Sequence, residues 1–161
     1  MAPAIRNPEL AKKIEQMKLT IAPIVHVMSG HPPPEFPGTI LQLFLLTEDQ
    51  LDTMAHFYSQ STRGPLTYTY PQTMEWNRPF LRKPNPGEMV PEGCWLNDVE
   101  RLRIKMRMFA KFIGMRGAET PSWEYERHVE VLRNRIAKSI EEEERAMMGP
   151  RKFYRGPPAL P

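Results

Sequence analysis

One cysteine, Cys94, stands among the 161 residues, so no disulfide can close within the chain. A cysteine-based structural zinc site is unsupported for the same reason, and the spacings of His26, His31, His56 and His128 fit no metal-ligand motif. The chain has no G-x-S-x-G elbow, no phosphate-binding G-x-x-x-x-G-K loop and no G-x-G-x-x-G turn. A single thiol beside Trp95 reads as a buried, inert packing group rather than a nucleophile. No catalytic residue, cofactor or metal ligand emerges. The opening MAPAIRNPEL has no apolar core of a secretory signal, so a cytoplasmic or nuclear protein is expected, not a secreted one. The longest apolar run, Ile40 to Leu46 broken by Gln42, is far below the roughly 20 residues of a membrane span.

What the chain holds in excess is proline, 18 residues, roughly twice the usual share of about 5%. The prolines avoid the strongest helical runs and crowd elsewhere, which predicts long extended connections. Apolar residues make up 40%, enough for a modest core and too much for a disordered chain. The net charge of +3 gathers in the C-terminal part, from residue 98 onwards. A mild basic excess suits an acidic protein partner, nucleic acid or a plain solvated surface. The expectation is one helical domain over 1–150, with residues 1–20 as a peripheral helix. A basic, Pro-rich tail, RKFYRGPPALP, is expected to be disordered over 151–161.

Local signals place four helices. Asn7 caps a short one that begins with Pro8 at the first helical position and carries Leu10, Ile14 and Met17 on one side. Thr47 and Gln50 form a capping-box pattern, and Leu46 and Leu51 occupy the hydrophobic-staple positions. Leu51, Met54, Ala55 and Tyr58 then give the period of a helix over about 48–60. Asn97 and Glu100 repeat the box for a helix over 98–115, ended by Gly114 or Gly117. A last helix runs from about 121 to 148 with the stripe Tyr125, Val129, Leu132, Ile136, Ile140 and Met147, stopped by Gly149-Pro150. Its EEEE run at 141–144 reads as a solvated surface. The short link predicts a hairpin between the last two helices.

Between them, Ile21–Met28 is β-rich but limited to an edge or extended segment by Pro23. Residues 30–38 form a stiff proline loop, with a polyproline ligand as the alternative reading. Residues 39–46 fit a strand or a buried helix, and 66–70 (LTYTY) a short strand. Residues 71–95 carry Met74, Trp76, Phe80, Leu81, Met89, Val90 and Trp95 and read as an ordered strap anchored by its aromatics. The fold class is therefore mainly α with a minor β component. The helical hairpin packs with the shorter helix 48–60 and Pro-rich extended segments.

The helix over 98–115 is apolar on two sides. Val99, Leu102, Met106, Phe109 and Ile113 form one stripe, read as the core side. Ile104, Met108 and Met115, with Phe112 at the edge, form a second. Arg103, Arg107 and Lys111 make one basic row between the stripes, and Arg101, Lys105 and Arg116 the other. Either the strap covers the second ridge within the chain, which is the expected outcome, or a partner does. On the latter reading Arg103, Ile104, Arg107, Met108, Lys111, Phe112 and Met115 form a partner-binding site of apolar anchors framed by basic groups.

Three stretches also make one pattern: FPGTILQLFLLTEDQLDTMAHFYSQ, the TYTYP turn and MRMFAKFIGMRGAETPSWEYE. Together they resemble a group of small uncharacterised proteins of filamentous ascomycete fungi with LLTEEQLD-type and FIGLRGCESP-type segments. The resemblance spans about residues 36–128 and implies an origin, not an activity. Ala118 stands where that pattern has cysteine, which argues against thiol chemistry there.

The leading expectation is a non-enzymatic adaptor or regulator that binds another protein through the basic, doubly apolar helix and Pro-rich segments, and that could form a homo-oligomer. A second reading is a nucleic-acid-associated regulator. It would use Arg103, Arg107 and Lys111 with the tail's Arg151, Lys152 and Arg155 on phosphates, Phe153 and Tyr154 stacking. No nucleic-acid-binding motif accompanies these residues, and protein binding is favoured. The third reading is a small enzyme using Cys94 or a histidine. No membrane partner is expected.

Overall fold

A computed structural model describes residues 7–149. Five α-helices follow one another: α1 (Pro8–Met17), α2 (Ile40–Phe44), α3 (Glu48–Phe57), α4 (Asp98–Phe112) and α5 (Ser122–Met147). Two 3-10 turns, Thr67–Thr69 and Pro79–Leu81, punctuate the connection between α3 and α4. The protein is mainly helical. Its β component, among the described residues, shrinks to one antiparallel bridge between Thr20 and Thr39.

Helix starts form where cap chemistry dictates. Asn7, Thr39, Thr47 and Asn97 each accept a bond from a backbone N–H three residues on. At α3 and α4 the box closes reciprocally: Gln50 Oε1 accepts from Thr47 N–H at 2.9 Å, and Glu100 Oε2 from Asn97 N–H at 3.1 Å. Thr47→Ala removes one such cap and should lower stability by about 1 kcal/mol. Thr53→Ala, inside the same helix, loses no cap and serves as control. Equal melting temperatures for the two variants would show that the cap contributes nothing. The other end of α4 is closed by Gly114 at φ 83°, whose N–H bonds to the Lys111 carbonyl while Met115 N–H bonds to Ala110. This pair of bonds needs a left-handed residue, and glycine adopts it without cost.

The core forms where α3 meets α4. Leu51, Met54, Ala55 and Tyr58 face inward from α3, and Ile104, Met108, Phe109 and Phe112 from α4. The inward face of α4 runs 101, 104, 105, 108, 109, 112, which is regular helical spacing. It lies about a third of a turn from the expected Val99–Leu102–Met106–Phe109–Ile113 stripe. Phe109 is shared, Leu102, Met106 and Ile113 are half-buried, and Val99 is exposed. The strap, with Leu96 just after it, completes the core through Met74, Trp76, Phe80 and Leu81, whereas its Met89 stays in solvent.

The LTYTY segment is a 3-10 turn, not a strand. Buried Thr67 Oγ1 donates to the Ser59 carbonyl at 2.8 Å and accepts from Gly64 N–H at 2.9 Å, which curls the chain. Gln60, also buried, stitches the same region, accepting from Met74 N–H and donating to the Thr67 carbonyl. Residues 39–46 resolve as the short helix α2 with Leu43 inward and Leu41, Phe44 and Leu45 exposed. The extended segment before it is fixed by buried Tyr58, whose hydroxyl donates to the Ile24 carbonyl at 2.6 Å. Pro33 and Pro37 are buried and Phe36 leans on Phe109, so the proline loop packs inward as a connector and is not laid out as a free ligand. Helix α1 buries no residue.

Helix α5 follows α4 in the antiparallel sense. Arg107 pairs with Glu124, and Glu100 with Arg127. The seam between the two helices is thus ionic, with the Arg103 guanidinium over the Trp123 ring at 5.2 Å. The expected apolar seam is absent because the strap, rather than α4, takes the inward face of α5. Asn134, Arg135 and Arg127 donate in turn to the carbonyls of Gly93, Cys94 and Trp95. Arg135 also stacks on Trp95 at 4.0 Å. Val131 is the sole fully buried aliphatic residue of α5. At Gly93, φ is 76°, which favours glycine, and a Cβ would sit 2.7 Å from the Asn134 amide and displace it from the Gly93 carbonyl.

Candidate protein-interaction surfaces

The residues assigned from sequence to a partner site divide into three groups. Ile104, Met108 and Phe112 are covered within the chain by α3 and the strap, which corrects their reading as partner anchors. The correction has a physical cause. Arg101 and Lys105 flank Ile104 and look like a solvent row, but their charges are neutralised inside, so the whole face turns inward.

That neutralisation comes from α3. Arg101 Nε donates to Glu48 Oε1 at 2.6 Å and Nη2 to Oε2 at 3.1 Å, a two-point pair. Lys105 Nζ donates to Glu48 at 2.8 Å and to Asp52 at 2.6 Å, and Trp76 Nε1–H reaches Asp52 at 2.7 Å. Burial alone would push the Glu48 carboxyl up; hydrogen bonds from Arg101 and Lys105 and their charges instead hold it at about 2, from an ordinary 4.5. Nothing in the periodicity of the sequence reveals this cluster. Its traces are the acidic first turn of α3 and basic residues spaced by four in α4.

The second group is Arg107 and Lys111. Arg107 makes a two-point pair with buried Glu124, at 2.6 and 2.8 Å, and donates to the Ala118 carbonyl. Its charge is spent within the chain, so Arg103, Arg107 and Lys111 do not present a uniform row to phosphates. Lys111 is exposed at a polar cleft of about 230 Å³ with Arg78, His128 and Glu75. In that cleft Glu75 pairs with Arg78. His128 stacks on Phe80 at 4.2 Å, its pKa lowered by burial and by Arg78 and Arg135. The carboxylates there are thus engaged by arginines rather than poised against the imidazole. Cys94 is buried beneath α5.

The third group, Arg103 and Met115, lines a real surface feature. A depression of about 400 Å³ opens between α2 and α4. Its floor is Leu43, Phe44, Met106, Ala110 and Met115, and Arg103 and Arg116 stand at its edge with Arg107. Sequence reading found Arg103, Arg107 and Met115 but not Met106, assigned to the core stripe, nor Ala110, which stood on neither stripe, nor Phe44, whose helix was undetermined. The tail residues Arg151, Lys152 and Arg155 lie outside the described residues.

A second apolar feature is the outer side of α5. Val129, Leu132, Ile136, Ile140 and Met147 are exposed along it, Ile136 61% and Met147 83%, and Tyr125, 61% exposed, starts the stripe at the rim of the polar cleft. The amphipathicity of this helix is inverted: its polar side docks and its apolar side faces solvent. Over Val129, Leu132 and Ile136 the stripe forms a shallow apolar groove beside Arg133. No described helix is long and apolar enough to cross a membrane, and no three described His, Cys, Asp or Glu residues cluster as a metal site. Comparison with protein-family models, with curated proteins and with solved structures finds no match.

Proposed function

We propose that this chain is a non-enzymatic interaction module that binds another protein in the depression between α2 and α4. The observation that carries the reading is the pairing of an open apolar floor, Phe44, Met106, Ala110 and Met115, with a basic edge, Arg103 and Arg116. Such a depression fits a Leu, Phe or Met side chain flanked by carboxylates, presented on a helix or an extended segment. Arg103 keeps its guanidinium on Trp123, so it is held in place for a carboxylate rather than free to sweep solvent. Met106 and Met115 supply side chains that can repack around different anchors.

Peptides selected from a displayed library on the native protein, and counter-selected on Met106→Glu, test this. The recovered sequences should combine an apolar anchor with Asp or Glu. Arg116→Glu should weaken their binding about tenfold, the effect of losing one charged contact of roughly 1.4 kcal/mol. Binders rich in Lys and Arg, or binders indifferent to both substitutions, would reject the proposal. So would tight, steeply salt-dependent binding to DNA or RNA through the same residues, which belongs to the nucleic-acid reading.

A further inference from the structure

We infer that the exposed stripe of α5 is the seam of a homodimer in which two α5 helices pair antiparallel. The stripe exceeds what a solvated helix needs: Tyr125, Val129, Leu132 and Ile136 follow a 4, 3, 4 spacing, the seam of a two-helix coil. All four are exposed, Leu132 least at 45%, and only Tyr125 also borders the body, at the rim of the polar cleft. A second copy is the occupant because the flanking charges are self-complementary under a two-fold axis. If Val129 of one copy lies opposite Leu132 of the other, Tyr125 falls opposite Ile136. Glu126 of each copy then stands beside Arg133 of its partner, twice by symmetry. Both residues are exposed and free for this role, since the ion pairs of α5 with itself and the body use Glu124, Arg127 and Glu130. A parallel pair would not place these two charges together.

The same axis accounts for the length of the helix. Beyond Lys138 every α5 residue is exposed, including Ile140 and the acidic run 141–144. In the antiparallel pair this last third of α5 runs past Ser122 of the partner, toward the end where the partner's basic Arg116 precedes its α5. A projecting helical end of this kind, apolar on one side and acidic on others, gains a reason to stay helical that an isolated end lacks.

Sedimentation equilibrium of the full chain over a range of concentrations reads the proposal directly. The native protein should shift from its 18.8 kDa monomer toward twice that mass. Ile136→Asp should leave a monomer that keeps the cooperative unfolding of the α3–α4 core and loses helix only at the projecting end of α5. Glu126→Arg and Arg133→Glu should each remain monomeric alone, because each places like charges together. Mixed in equal amounts they should form a heterodimer, in which both pairs are again Arg with Glu. Met106→Glu, in the depression between α2 and α4, should dimerise as the native protein does, which separates this inference from the ligand site. A native chain that stays monomeric, a mixture that fails to pair, single charge variants that dimerise normally, or binding of the stripe to phosphatidylcholine vesicles without dimerisation would each overturn it.

Discussion

Ile104→Asp combined with Met108→Asp should abolish the cooperative thermal transition. Both side chains sit inside the α3–α4 contact, with Ile104 1% and Met108 6% exposed, among Leu51, Met54 and Tyr58. Each substitution deletes apolar packing, and each places in that contact a carboxylate with no designed partner. Burying an unpaired polar group costs several kcal/mol, more for a charge. Two such costs approach or exceed the roughly 5–15 kcal/mol that holds a domain together. Val99→Asp is the sharp comparison. Val99 stood first on the stripe that sequence periodicity marks as core, yet it is 66% exposed, so its loss should change stability by no more than about 0.5 kcal/mol. Near-UV dichroism and thermal melting of the two variants decide which side of α4 holds the fold. A native-like double mutant, or an unfolded Val99 variant, would reverse the assignment.

That comparison also shows what was legible in the chain. Caps are local chemistry, and Asn7, Thr47 with Gln50, and Asn97 with Glu100 marked three helix starts to the residue. The face of α3 was equally plain, because its Leu51, Met54, Ala55 and Tyr58 are the apolar residues of one face and all turn inward. Helix α4 turns about a third of a turn from its expected face because hydrophobic counting treats Arg101 and Lys105 as surface. Their burial depends on Glu48 and Asp52, about fifty residues earlier, and no window along the sequence joins them. Helix α5 failed differently. Its period correctly gave a helix and an apolar side, but periodicity does not say that an apolar side is covered by its own chain. The neighbour that takes its inward face is a strap of backbone carbonyls at Gly93, Cys94 and Trp95, which attracts Asn and Arg rather than Leu. The strap itself was legible through its aromatics, since Trp76 and Phe80 are too large to leave in solvent without reason.

Glu48→Gln should cost about 3 kcal/mol at neutral pH, although it keeps the shape of the side chain. Arg101 has 2% and Lys105 6% of its side chain exposed, and Glu48 is the carboxylate that both share. Asp52 and Asp98 remain, but Asp98 is 92% exposed and so compensates a buried guanidinium weakly. The amide still accepts one hydrogen bond; it no longer cancels charge. The pH dependence follows from the sign of the shift. The folded-state pKa of Glu48 is about 2, below its ordinary 4.5. The unfolded chain therefore binds this proton more readily than the folded one, and stability from this group is complete above about pH 5. It is lost as pH falls through 4.5 toward 2, a total of about 3 kcal/mol for a shift of this size. The native protein should thus lose stability steeply on acidification, and the Glu48→Gln variant should lack that component. Urea unfolding at pH 7, 4 and 3 measures it, and the difference between the two proteins should narrow at each step. A difference that stays constant across this range would mean that the α3–α4 contact rests on apolar packing alone, with the Glu48 charge contributing nothing to the fold.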